Sequence, residues 1–200
     1  MSLIVVSSAT GEPVTVGELK AHLRLSSTDE DDYLSGLITV ARIEAENYMK
    51  RQIMPATYKL TIDDFSGDTG VIELSRPPIS TASSNLVITY VDEDSVTQTL
   101  SNTAYTVDTA SWCPKVRPSY DNEWPTDVLD NPNSVSIQYV AGYPARDKVP
   151  EPIKHWIKMT AGALYEHREP IFESKSFNAI QYLAHNHYNG LLDPYMVIKV

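Results

Sequence analysis

The sequence predicts an α+β protein, a helical bundle from the N- and C-terminal segments with an inserted antiparallel β module. Three observations predict it. Apolar residues recur at helical spacing up to Pro55, the period falls to two with frequent turn residues over 56–145, and helical spacing returns afterwards. The division is 1–55, an N-terminal helical hairpin, 56–145, the β module, and 146–200, C-terminal helices and a tail. Segments 1–55 and 146–200 together form one helical domain.

The first helix of the hairpin lies within Val14 to Leu25. Thr15 and Glu18 form a capping box, and Leu19 and Leu23 share one side. The second, Ser27–Arg51, carries Leu34, Leu37, Ile38, Ala41, Ala45 and Tyr48 on one stripe. Ser27 with Glu30 reads as its capping box, and Asp31 and Asp32 suit the positive end of the helix dipole. Lys50 and Arg51 suit the negative end, and Pro55 bars continuation.

In the β module Tyr58, Leu60 and Ile62 alternate with Lys59, Thr61 and Asp63. Val71 to Leu74 is a second strand, and Arg76-Pro77-Pro78-Ile79 a rigid extended connector. Leu86 to Val91 and Val96 to Leu100 flank the turn Asp92-Glu93-Asp94-Ser95 as a hairpin, and Tyr105 to Asp108 follows. Trp112 to Pro132 has no periodicity and four prolines, which reads as an ordered loop crossing the sheet. Val135 to Tyr139 resumes alternation. Beyond it, Pro152 opens a helix with Ile153, Trp156, Ile157, Thr160 and Leu164 on one face. A last helix is expected from Ser176 to Tyr188, closed by Asn189-Gly190.

Composition bounds the function. No run of eighteen apolar residues occurs, so no membrane span is expected, and the N-terminus lacks the basic region of a secretory signal. The single cysteine, Cys113, excludes an internal disulfide. The formal net charge is −10, with the excess acid before residue 151. Such a chain has no basic stripe with which to grip nucleic acid.

Candidate chemistry is sparse. His185 and His187 are two apart, a spacing that sends them in different directions on a helix, so no metal site is expected. A calcium loop starting at Asp92 needs glycine and glutamate where Thr97 and Thr103 stand. Cys113 precedes proline with no histidine nearby. No phosphate-cradling glycine loop or nucleophile elbow is present. No catalytic residue, cofactor or metal ligand is expected, and the chain reads as a non-enzyme.

The order of short segments resembles tailed-bacteriophage head–tail connector (head completion, adaptor) proteins. The residues that carry the resemblance start with Thr15 to Leu25, Asp29 to Leu34, Ala41-Arg42, Glu44 to Tyr48 and Gln52 to Pro55. They continue with Leu74 to Ile79, Ile88 to Asp92, Tyr139 to Tyr143, Val149 to Ile153, Ala163 to Glu169 and Leu191 to Tyr195. The resemblance implies a structural adaptor in the virion neck, made in the bacterial host cytoplasm. Its partners would be copies of itself in a ring, of twelve in the virion, the portal protein above and a neck or tail-completion protein below. DNA would pass through the channel without specific binding, and no membrane is involved. The helices would build the ring and the β module would lie on its periphery.

The C-terminal tail is the candidate docking element, through Pro194, Tyr195, Met196, Val197, Ile198 and Val200. Pro194 ends any helix, and strand character after it would place Met196, Ile198 and Val200 on one apolar face, suited to adding to a neighbour's sheet edge. Two other readings stand beside this one. Trp112, Tyr120 and Trp124 could form the platform of a carbohydrate- or receptor-binding module, or serve as cover for the sheet. A carboxylate-dependent hydrolase would need a pocket with convergent acids.

Overall fold

The computed structural model describes residues 1–65, 70–80, 85–168 and 189–198. Helix α1 (Val16–Leu23) starts where the capping box places it. The Thr15 hydroxyl accepts the Glu18 N–H, and the Glu18 carboxylate accepts the Thr15 N–H at 2.7 Å. The backbone bond from Thr15 and then its hydroxyl hold the Glu18 carboxyl below its ordinary 4.5. The stability this contact supplies is therefore present above that value and lost as pH falls through the lowered one. Glu18→Ala is expected to lower the thermal midpoint at neutral pH, with the gap to the parent closing on acidification. A gap that stays constant with pH would remove the capping carboxylate from the account.

Helix α2 (Asp31–Met49) is shorter than the predicted Ser27–Arg51. Ser27 does not cap with Glu30; its hydroxyl accepts the Asp29 N–H, and a turn from Thr28 to Asp31 precedes the helix. The far end stops at Lys50, left-handed at φ 55°, so Pro55 lies well beyond the helix it was expected to end. Leu34, Ile38, Ala41, Ala45 and Met49 are fully enclosed, whereas Leu37 and Tyr48 sit half-buried at the cluster's margin.

Helix α3 (Glu151–Glu166) presents Ile153, Trp156, Ile157 and Ala161 to α2, and α1 packs against both. This helical cluster draws residues from both ends of the chain, down to Leu192. The expected helix at Ser176 to Tyr188 lies outside the described residues.

The β part holds a five-stranded antiparallel sheet in the order β1-β2-β8-β4-β5 and a three-stranded one in the order β3-β7-β6. The strands are β1 (Ser2–Ser7), β2 (Ala56–Ile62), β3 (Ile72–Glu73), β4 (Leu86–Val91), β5 (Thr97–Thr99), β6 (Tyr105–Asp108), β7 (Lys115–Pro118) and β8 (Val135–Ala141). Alternate residues Tyr58 and Leu60, Leu86 and Ile88, Val135, Ile137 and Tyr139 point inward, as a period of two requires. Ile72, Tyr105 and Val116 of the smaller sheet share that core. The Tyr105 hydroxyl donates across it to the Leu86 carbonyl at 2.9 Å.

Two strands depart from the sequence reading. Strand β1 joins the larger sheet from within the segment read as a helical hairpin, pairing Ser2 with Thr61 through Ser7 with Thr57. Strand β7 interrupts the stretch read as a loop, with Val116 fully buried between β3 and β6.

Candidate functional site

Among the described residues, two sets of side-chain contacts bind distant segments to the C-terminal half of α2. The first is a buried polar network at the C-terminal half of α2. Arg42 donates from Nε to Glu12 at 2.7 Å and from one terminal nitrogen to Glu46 at 2.9 Å. The other Glu46 oxygen accepts the Gln52 amide at 2.8 Å and the Ile53 N–H at 3.0 Å. Gln52 in turn accepts the Tyr58 hydroxyl of β2. Arg42 is 7% and Glu46 6% exposed, so helix and sheet are linked through charges with almost no access to water.

Burial outweighs Arg42 and the Ile53 and Met54 backbones and holds the Glu46 carboxyl above its ordinary value. The three donors aimed at it suit an ionised carboxylate. Arg42 is held charged above its ordinary range, with burial outweighed by Glu12 and Glu46. From outside, Arg76 closes the junction by donating to the Glu46 carbonyl at 2.9 Å and to the Asn47 side chain at 3.0 Å.

The second is the tail. Asp193–Tyr195 forms a 3₁₀ turn, after which Met196 is extended at φ −69° and ψ 132°, and 196–198 pair with no strand among the described residues. The Tyr48 hydroxyl donates to Asp193 at 2.6 Å, Arg51 Nε to the Tyr195 carbonyl at 2.9 Å, and the Val197 N–H to the Met49 carbonyl at 2.9 Å. Leu192 is fully enclosed, Tyr195, Met196 and Val197 are half-buried, and Pro194 and Ile198 are exposed. The base of the tail is thus clasped to the end of α2. Val200 lies outside the described residues.

The other candidates are dispersed. Trp124 stacks on Phe65 at 4.8 Å, and its indole N–H donates to the Gly70 carbonyl, so it covers the sheet core. Trp112 and Tyr120 are exposed, at 61% and 93%. A cavity of about 460 Å³ lies beside Trp124 and is edged by Asp63, Asp64 and Asp130. The Asp63 carboxylate accepts the Asn133 N–H at 2.9 Å, a loop-holding role. Asp92 accepts the Val96 and Asp94 N–H groups, which shapes its turn. His155 meets His22 edge-to-face at 6.0 Å between α1 and α3. His185 and His187 lie outside the described residues, and no group of three potential metal ligands occurs among the described ones. No helix among the described residues is long and apolar enough to cross a membrane.

The arrangement is that of an α+β protein whose polar interior joins its layers to one another. The family model for "Phage gp6-like head-tail connector protein" matches residues 13–103, which take in α1, α2, strands β2 to β5 and the buried network apart from Glu12. The resemblance to phage head–tail connectors is borne out by that match.

The fold is also that of chains in solved phage-like particles. A chain in the neck of an empty GTA particle computed with C6 symmetry is 19% identical, with a TM-score of 0.76. A chain in the virion of a native gene transfer agent (GTA) particle is 18% identical, with a TM-score of 0.76. One in the neck of a native GTA particle computed with C12 symmetry is 18% identical, with a TM-score of 0.73. Each match covers 100% of this chain and 97% of the other. No curated protein matches the chain.

Proposed function

We propose that this protein is a structural head–tail connector of a tailed phage or prophage, forming a ring beneath the portal that joins head to tail around the DNA channel. The connector-family match over 13–103 carries the reading. The full-length likeness to neck chains, solved with C6 and C12 symmetry, supports a ring of identical copies. Segments 1–55 and 146–200 would act as one helical domain, with the β module on the ring's periphery. Deleting the gene from the producing phage should leave filled heads and free tails that do not join. Tailed particles at the parental titre would sink the proposal.

A ring of chains each at −10 would present a repulsive wall to the genome, which slides without sticking. The isolated protein should therefore show no salt-sensitive duplex binding in an anisotropy titration. Micromolar binding that weakens steeply with added salt would contradict this.

The tail is proposed to dock on the portal, with its base clasped to the end of α2. Pro194, Tyr195, Met196 and Val197 would position the arm, and Ile198 with Val200 would enter the neighbour. Removing Ile198 to Val200 keeps all three clasp bonds, so the thermal midpoint should be nearly unchanged while attachment to portal-bearing heads is lost. Undiminished attachment would return the tail to a purely internal role.

A further inference from the structure

Strand β1 is the outermost of the larger sheet, paired with β2 on one side and with no main-chain partner among the described residues on the other. Leu3, Ile4, Val5 and Val6 put four large apolar residues in a row, and Ser2–Ser7 holds no charge and no proline. Sheets ordinarily guard such edges with charge, proline or shortness. The opposite edge does so, because β5 is three residues long and polar. The register of β1 shifts between Val5 and Ser7, which leaves Ser2 to Val5 as a regular free edge.

The inner face of that edge adds a second observation. Leu3 stands opposite Leu60 and Val5 opposite Tyr58, and residues directly opposite share a face. Leu60 and Tyr58 are in the core, yet Leu3 is 36% and Val5 55% exposed, because no strand continues the sheet beyond them. A cavity of about 420 Å³ opens there. It is lined by Leu3, by Leu74 and Cys113 from the ends of β3 and β7, and by Val197 of the tail. Lys50 and Arg76 add two cations, neither in an ion pair among the described residues; Arg76 donates to a carbonyl and a side-chain amide oxygen. The acid beside them, Glu73, is paired with Lys115 at 3.4 Å.

We propose that β1 and this cavity receive an extended segment of a different neck protein, which adds as a strand to the free edge of β1; the proposal rests on the connector reading above. The edge itself selects a polypeptide, since another main chain offers N–H and C=O groups at the matching repeat. Side chains of the added strand that share a face with Leu3 enter the cavity. They are apolar where they meet Leu3 and Leu74, and acidic where they meet Lys50 and Arg76. This chain's own edges do not supply that pattern. Ser2–Ser7 and Thr97–Thr99, the two edges of the larger sheet, contain no acid, and Ile198-Lys199-Val200 adds a cation. The occupant is therefore a strand from another protein, with apolar side chains at alternate positions and an aspartate or glutamate in the same alternating set.

The test is photo-crosslinking in assembled particles. A benzoylphenylalanine replaces Leu3 in one variant and Val87, exposed on the outer face of β4, in a second, each expressed in place of the parental chain in the producing cell. Purified particles are irradiated, and the crosslinked peptides are sequenced by mass spectrometry. The probe at 3 should capture one segment of a different protein, with alternate apolar residues and an acid in that set, and the probe at 87 should not. Adding Lys50→Glu to the probe at 3 should lower the yield per copy of the chain about tenfold, whereas Lys50→Arg should keep it. Five results overturn the docking edge while leaving the connector reading intact. They are capture of this chain alone, capture of a segment without that pattern, equal capture by both probes, a yield indifferent to Lys50→Glu, and no capture in particles that contain the chain. Absence of the parental chain from purified particles would overturn both.

Discussion

Glu46→Ala is expected to cost about 3–5 kcal/mol, the range for removing one partner of a buried ion pair. The loss follows from what stays behind. Arg42, 7% exposed, would keep Glu12 but lose the acceptor of one terminal nitrogen, and the Ile53 N–H would lose its acceptor altogether. Gln52 would retain only the Met54 carbonyl for its amide, which loosens the hydroxyl bond from Tyr58 and with it the link to β2. Denaturant unfolding checks this, with the loss read from the shift in midpoint at an unchanged slope. The pair Arg42→Met with Glu46→Leu should lose less than Glu46→Ala alone, because the charge then left without its partner is Glu12, which is 25% exposed and keeps the Thr39 hydroxyl, and not the enclosed Arg42. A loss below about 1 kcal/mol for Glu46→Ala, in the range of exposed pairs, would show that water reaches the network.

That network shows where the sequence could and could not be read. Thr15 and Glu18 were legible because a capping box is closed within four residues, and every atom of it is local. Ser27 and Glu30 show the same spacing, yet Ser27 engages Asp29, and Glu30 accepts Tyr165 and Arg168 from the far end of α3. A contact from so distant a residue redirects a local pattern, and no window of the sequence contains it. Arg42 and Glu46 look like an ordinary surface i, i+4 pair; their burial comes from Glu12, Gln52 and Tyr58, each supplied by a different segment.

Strand β1 was illegible for the opposite reason. Leu3, Ile4, Val5 and Val6 are all exposed at the sheet edge, so there is no inward–outward alternation to detect. In β7 only Val116 is buried, and a single inward residue between prolines makes no period. Of the central strands, buried on alternate residues, β4 was read at its own bounds, β2 started two residues earlier than read and β8 ran two residues further. The clasp at the base of the tail was not legible because the acceptor for Val197 is the Met49 carbonyl, freed where α2 ends at left-handed Lys50.

Gly142→Ala is expected to be the other costly change, about 2–5 kcal/mol from two sources that act together. Gly142 follows β8 at φ +121°, a conformation that a side chain strains against. An added Cβ would also lie 2.6 Å from the carbonyl carbon and oxygen of Met54 and 2.8 Å from the nitrogen of Pro55. Those are backbone atoms, which cannot rotate away as a side chain can. The neighbouring bonds leave no slack either. The Gly142 N–H donates to the Pro78 carbonyl at 2.8 Å and the Tyr143 N–H to the Ile53 carbonyl at 2.9 Å, so three segments cross at this point. It is the place where the chain leaving α2, the proline connector and the end of β8 are pinned together, and a shift there moves the helical cluster against the sheet. Gly70 supplies the comparison: its φ is +61°, but an added Cβ would meet only the Trp124 ring at 3.7 Å, an ordinary contact. Gly70→Ala should therefore lose only the conformational part, about 1–3 kcal/mol. Equal losses at the two positions, measured by the same unfolding experiment, would show that backbone conformation alone matters and that the close crossing at Met54 does not.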